Sequence, residues 1–441
     1  MKKPFFFCLV CSLLILGCKQ ESYIESAAVT NPNNIHDAVK NLSNIIVHDI
    51  LSPPVASRVY AYPSIAAYEV LSQAYPEYNS LAGQLTDLTP VPQADTTKQI
   101  SYSLAAIHAF NLMGKELTFS EDRYQSFMDT TYQAIKREGM SNAVYKESLA
   151  FGEQVYTHIL SWASKDNYHQ TRSFPKFSIN QEAARWKPTP PGYMDGIEPH
   201  WKEIRPFVIE SSEQFVPEPP TDFSTDKSSK FYEETMEVLD VVKNGTEEQK
   251  EIASFWDCNP YVLNVTGHVM FATKKITPGG HWMGIVGVAC KKAGANLMTS
   301  VEAYALTSIA LADGFIACWD EKYRSNLTRP ETVINEYFDE EWVPLLQTPP
   351  FPEHTSGHSV ISRAAAVALT SIFGDNFSFD DDVEVEYGLP IRSFTSFMQA
   401  SEEAAVSRLY GGIHFRPAIY EGVKQGEQVG NYVVANVKLK N

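Results

Sequence analysis

Apolar residues recur at i, i+3, i+4 and i+7 over six long stretches: Ala56 to Tyr75, Ile100 to Met113, Tyr124 to Arg137, Asn142 to Trp162, Leu297 to Cys318 and Ser359 to Phe373. On a helix of about 3.6 residues per turn that spacing draws one apolar stripe, so each stretch predicts a helix packed against a neighbour. Pro63 is expected to kink or divide the first of them, because it lacks an amide donor and its ring crowds the preceding turn. Ser52 ahead of Pro53-Pro54 marks a helix start, and Asp166-Asn167 closes another helix. No stretch sustains strand alternation with hairpin turns. The expected fold class is therefore all-α, built from helical bundles.

The helical period lapses between residues 166 and 226, which hold nine prolines, Trp186, Trp201 and several other aromatics. A loop this long is usually a lid, a binding loop or a linker, and its aromatic content favours one packed on the body. The expected organisation is a leader at 1–18, a helical half at 19–165, an irregular Pro-rich excursion at 166–226 and a second helical half at 227–441.

The leader has its own pattern. Lys2 and Lys3 precede an apolar run from Phe5 to Leu16, followed by Gly17-Cys18. The run is shorter than the ~20 residues needed to cross a bilayer as a helix. It resembles a bacterial lipoprotein signal peptide with Cys18 as the lipidated residue. That resemblance implies a lipid-anchored protein of the cell envelope, outer-membrane or periplasm-facing, touching the membrane through the anchor only. Cys8 and Cys11 leave with the signal. Cys258, Cys290 and Cys318 have neither the even count of a disulfide framework nor zinc-ligand spacing, and read as core residues with one disulfide open to them.

Composition changes the picture by exclusion. The 441 residues carry 36 Lys+Arg against 53 Asp+Glu, a net charge of −17. Nucleic-acid partners, which need a broad positive field, are not expected. The mean hydropathy of −0.23 excludes a polytopic membrane protein.

Against that acidic background three short patterns concentrate cations. Lys322 is followed after six residues by Arg329-Pro330, and on a continuous helix the two would share a face. Pro349-Pro350-Phe351-Pro352-Glu353-His354-Thr355-Ser356-Gly357-His358 runs straight into the helical stretch from Ser359. It thus sets a hydroxyl and free amides at a positive helix end, with His358 in the first turn. Ser407-Arg408 precedes Gly411-Gly412 and then His414, so a turn can bring Arg408 and His414 together. Each pattern alone is also what a solvated face, an ordinary helix cap or a structural histidine looks like. Together they supply charge neutralisation, directed donors, a coordinating nitrogen and a proton carrier, the needs of a bound oxoanion.

The order and spacing resemble the three-part signature shared by vanadium-dependent haloperoxidases and type 2 phosphatidic acid phosphatases. That signature reads Lys, six residues, Arg-Pro; then Pro-Ser-Gly-His; then Ser-Arg, five residues, His. The first and third parts match fully; in the second, Thr355 stands where the family has proline, a change expected to alter loop stiffness and not a ligand. Trp319 and Phe351 look like the aromatic groups on the halide side of the chloroperoxidase branch, and Asp257 looks like the upstream acid that pairs with the third motif's arginine.

The resemblance implies a four-helix-bundle core and a vanadate cofactor ligated by His414. Lys322, Arg329, Arg408, Ser356 and the Gly357 amide would hold its oxygens, and His358 would act as acid–base partner. Lys322 would polarise the peroxide that a halide attacks to give hypohalous acid. Two alternatives stand beside this. In an acid phosphatase, phosphate occupies the pocket, His414 is the nucleophile and His358 protonates the leaving oxygen. In a non-catalytic envelope lipoprotein, the helical body serves contacts alone. Small-molecule substrates are expected in the enzymatic readings; the oligomeric state is open. His281, after Pro278-Gly279-Gly280, opens a helix and is at most a supporting residue of the pocket. His354 is a candidate for tuning halide choice, and His108, His158 and His268 read as histidines within apolar helices.

Overall fold

The computed structural model describes residues 24–260, 262–266 and 269–441. The leader with Cys8, Cys11 and Cys18 lies outside the described residues, as does His268.

Helices dominate. The first half contains α1 (Asn33–Asp49), α2 (Pro53–Leu71), α3 (Tyr102–Glu116), α4 (Glu121–Arg137), α5 (Asn142–Ala163) and the single turn α6 (Tyr168–Thr171). The second contains α7 (Lys230–Asn244), α8 (Glu247–Phe255), α9 (Pro278–Ala293), α10 (Leu297–Ser325), α11 (Pro330–Tyr337), α12 (Gly357–Phe373), α13 (Phe397–Tyr410) and α14 (Arg416–Asn436). Ser52 starts α2 as expected, its side chain accepting from the Val55 amide. Pro63 does not divide α2, which runs unbroken through it.

Two antiparallel hairpins depart from the all-helical expectation: β1 (Val262–Thr266) with β2 (Val269–Thr273), and β3 (Phe379–Asp381) with β4 (Arg392–Phe394). Their strands are three to five residues long, too short for a period of two to stand out.

The long helix α10 is the axis. It is 29 residues long, apolar enough to cross a membrane by composition, and its apolar window is wholly buried inside the protein, which makes it a core helix. One flank meets α2, which in turn packs on α3 and α5; the other meets α12 and α14. The two helical halves are joined across it.

Two buried carboxylates tie the excursion to the helices, one on α10 and one reaching α2. Asp313 of α10 accepts from the Phe207, Val208 and Ile209 amides at 2.7, 2.8 and 3.0 Å. Asp166 takes Arg58 Nε at 2.6 Å and Tyr62 Oη at 2.9 Å from α2. Trp186 and Trp201 are fully buried. The excursion therefore lies packed on the helices, and Ile197 reaches the first and second motifs. Its carbonyl accepts from Trp319 Nε1 and Tyr323 Oη, and its amide donates to Pro350 O.

The start of α12 is set by a row of glycines on α14. A Cβ on Gly426 would stand 2.1 Å from Val360 O, one on Gly422 would stand 2.8 Å from Ser359 Cβ, and one on Gly430 would stand 2.9 Å from Val367 Cβ. Backbones approach this closely only where side chains are missing. Ser356 N also donates to Ala418 O just before α14's first full turn ends, so α14 fixes the position of the second motif. Replacing Gly426 with Ala forces the two helices apart. It should lower stability by about 1–3 kcal/mol, measured as a lower denaturant midpoint with unchanged slope.

Candidate active site

The second and third motifs meet at a small pocket lined by Gly357, His358, Arg408 and His414 on its polar side and by Pro53, Phe315, Trp319, Pro349, Phe351 and Ile413 on its apolar side, while Lys322 and Arg329 of the first motif are buried next to it without lining it. The motifs are brought together by local devices that differ from the expected ones in one respect. Lys322 and Arg329 do not sit on one continuous helix: α10 ends at Ser325 with Asn326 in the left-handed region, and Arg329 is the N-cap residue of α11. Both side chains then turn inward to the Pro-rich loop from opposite sides of that break.

Lys322 is fully buried. Its Nζ donates to the carbonyls of Pro352 and Glu353 at 3.1 Å each and of Thr355 at 2.5 Å, and lies 5.1 Å from the Phe351 ring centroid. All three N–H bonds of the ammonium are thereby committed, so gripping an oxoanion requires one of them to be exchanged. Burial pulls its pKa down to about 8. Arg329 donates through Nε to Phe351 O at 2.9 Å and through Nη1 to Ile413 O at 2.8 Å, while its buried Nη2 has no partner. Arg408 donates to Trp256 O at 2.7 Å. Burial lowers both guanidinium pKa values, Arg329 to about 10, and both stay charged at neutral pH. Among the described residues none of the three cations is in an ion pair with a carboxylate.

His414 stands between these charges. Its Nδ1 bonds Glu353 Oε1 at 2.8 Å, and its Nε2 faces Arg329 Nη1 at 3.1 Å. With the Nδ1 proton donated to that carboxylate in a hydrogen bond, the Nε2 lone pair is directed into the cationic cluster. Burial first, and then the charges of Arg329, Lys322 and Arg408, hold the ring's pKa well below its ordinary value. His358, in the first turn of α12, has its Nε2 buried and without a partner, and burial followed by the charge of Arg408 keeps it neutral as well. Ser356 caps α12, accepting from the Ser359 amide, and the amides of Gly357 and His358 lie at the open helix end.

Trp319 and Phe351 pack at 5.0 Å between ring centroids and form the apolar wall. Thr355, the departure from the family's proline, bonds Gln425 Oε1 of α14 at 2.8 Å, so a hydrogen bond holds the loop there. Asp257 does not bond Arg408. It takes Lys275 Nζ at 2.5 Å and reaches the arginine only as a longer-range charge, because the Arg408 donors already point at the Ala253 and Trp256 carbonyls. His354 is fully buried and turns to Glu218 O at 3.0 Å, away from the pocket lining. His281 lies behind the pocket, stacked on Trp256 at 4.6 Å. His108 bonds Tyr132 Oη in the core, while His158 is half-buried against Thr89. Cys258, Cys290 and Cys318 are buried free thiols, and Cys258 borders the pocket.

Glu353 was not singled out from the sequence, since a glutamate in a Pro-rich loop has no period to betray it. It accepts from both His414 Nδ1 and the Phe415 amide, and burial pushes its pKa up to about 7.

Buried cations without ion-paired carboxylates, an orphaned donor and an open helix end are the features that a helical protein needs to hold an oxoanion. A family model of the VCPO second helical-bundle domain matches residues 335–440, which carry the second and third motifs. The crystal structure of a bacterial vanadium-dependent iodoperoxidase is 52% identical in sequence with a TM-score of 0.90, covering 95% of this chain and 99% of that one. The apo and holo forms of a bacterial vanadium-dependent chloroperoxidase share the fold, at 16% and 15% identity and TM-scores of 0.66 and 0.65, each covering 88% of this chain and, respectively, 95% and 93% of theirs. No curated protein matches by sequence. The chain belongs to the vanadium-dependent haloperoxidases, a family of enzymes.

Glu353→Gln keeps the shape and an acceptor but removes the charge that orients His414. Supporting groups of this kind are worth ~10–100-fold in affinity. The variant should bind orthovanadate about that much more weakly in an equilibrium titration, with its melting temperature nearly unchanged.

Proposed function

We propose that this protein oxidises halide with hydrogen peroxide to hypohalous acid, using vanadate held by His414, and that iodide is its preferred halide. The observation that carries the reading is the His414 Nε2 lone pair facing a buried cluster of Lys322, Arg329 and Arg408, none of them in a direct ion pair with a carboxylate among the described residues. The residues fit the group. Arg329 Nη2 is a buried donor with nothing to donate to, the Ser356 hydroxyl and the Gly357 amide lie at a positive helix end, and His414 offers one neutral nitrogen.

Vanadate supplies a Lewis acid that does not change oxidation state while peroxide is activated. The chain supplies the rest. Arg329, Arg408, Ser356 and the Gly357 amide neutralise and orient the oxoanion. Lys322 adds charge from beneath Phe351. His358, neutral with an unpartnered Nε2, is placed to accept a proton from incoming peroxide and return it to the departing oxygen. The wall of Trp319, Phe315 and Phe351 favours the largest, least strongly hydrated halide, which loses least on leaving water. The 52% identical relative is an iodoperoxidase, which supports the same choice.

Purified protein given orthovanadate, peroxide and iodide should form triiodide, bromide should be oxidised more slowly, and His414→Ala should lose more than the ~10–100-fold typical of a supporting residue. A phosphatase would respond with the opposite sign, its ester hydrolysis being inhibited by the vanadate that switches on iodide oxidation. The reading fails if no halide is oxidised in a vanadate-dependent way.

The leader supports placement at the cell envelope through Cys18. Cys18→Ser should move the protein from the membrane fraction to the soluble one in cell fractionation.

A further inference from the structure

Behind the oxoanion pocket lies a second cluster that the reaction does not use. Cys258, His281 and Glu384 are all buried, and their ligand atoms lie close together. Cys258 Sγ is 3.4 Å from His281 Nδ1 and 3.7 Å from Glu384 Oε1, and His281 Nδ1 is 3.1 Å from Glu384 Oε1. A tetrahedral zinc with bonds of ~2.3 Å to sulfur and ~2.0 Å to nitrogen or oxygen requires edges of ~3.5 Å from sulfur to each lighter atom and ~3.3 Å between those two. The observed triangle agrees with that face to within about 0.2 Å. We propose that Cys258, His281 and Glu384 form a binding site for one divalent transition-metal ion, zinc by its donor set.

Three further observations bear on the site. His281 Nε2 bonds the buried Asp381 Oδ2 at 2.8 Å, the carboxylate–histidine arrangement that fixes the tautomer and leaves Nδ1 free to ligate. Charge is conserved on loading. Without metal, a thiol, an imidazolium and two carboxylates sum to one negative charge. With it, a thiolate, a neutral imidazole, two carboxylates and a dication also sum to one. Binding thus releases the thiol proton and the Nδ1 proton to solvent and leaves the buried charge unchanged. Thiolate and imidazole donors favour zinc over magnesium or calcium.

The elements are held in register without the ion. Val383, between Asp381 and Glu384, packs where a side chain on Gly284 of α9 would stand, its Cγ2 2.6 Å from the position of a Cβ there. The site is coupled to the pocket as well. Cys258 forms part of the pocket wall, and His281 stacks on Trp256, whose carbonyl takes Arg408. A bound ion would fix that arginine's acceptor and remove a free thiol from the wall of a chamber that handles an oxidant.

Zinc content can be measured without vanadate, so this inference and the proposed activity fail separately. Full-length protein produced with zinc and passed over a chelating resin should retain about one zinc per chain. Cys258→Ser and Glu384→Gln should retain at least about tenfold less, while Cys290→Ser, a buried thiol elsewhere, should match the parent. Should the cluster variants fail to fold, the parent protein produced with cobalt provides the second measurement, a sulfur-to-cobalt charge-transfer band in the near ultraviolet. The proposal is overturned if the parent retains neither zinc nor a cobalt band, or if Cys258→Ser retains either in full.

Discussion

The constraint on which the site depends is electrostatic. Three cations, Lys322, Arg329 and Arg408, are buried around one point without an ion-paired carboxylate among the described residues, and burial lowers the pKa of each. Desolvating a charge is costly unless a counter-charge or strong hydrogen bonds replace water. Backbone carbonyls from the Pro-rich loop and the 253–256 segment offset part of that cost. The remainder is a standing positive potential that a small polyanion relieves. Burial first, and this potential after it, keep His414 and His358 neutral, so the field that attracts the anion also helps prepare the nitrogens that meet it.

The fold exists, in this light, to hold those carbonyls and cations still. α10 brings Lys322 and Trp319, and the break after Ser325 swings Arg329 round to the other side. The glycine row on α14 lets α12 approach until Ser356 bonds Ala418, and Gln425 of the same helix ties Thr355. Even the excursion contributes, since Ile197 fastens both Trp319 and Pro350.

Much of this was legible in the sequence and some was not, for identifiable reasons. The helices show because their apolar stripes are long, and the motif residues show because cations are conspicuous in an acidic chain. Lys322 and Arg329, seven residues apart, would share a face only on an unbroken helix; Asn326 stops that helix in a left-handed cap, and Arg329 stands at the start of the next. The hairpins escaped because three to five residues hold too few repeats. Glu353 escaped because its role exists only in three dimensions, through a bond to a histidine 61 positions away. The glycines at 422, 426 and 430 have the four-residue spacing of a helix face and could have been read as a close-approach stripe. Cys258, His281 and Glu384 are separated by hairpins and helices, and nothing in their spacing announces that they meet.

A crystal of the protein soaked in orthovanadate is the decisive measurement. One vanadium per chain is expected, within bonding distance of His414 Nε2, its oxygens facing the guanidinium groups of Arg329 and Arg408. Vanadium found elsewhere, or a cationic pocket left holding only water at saturating vanadate, would contradict that placement.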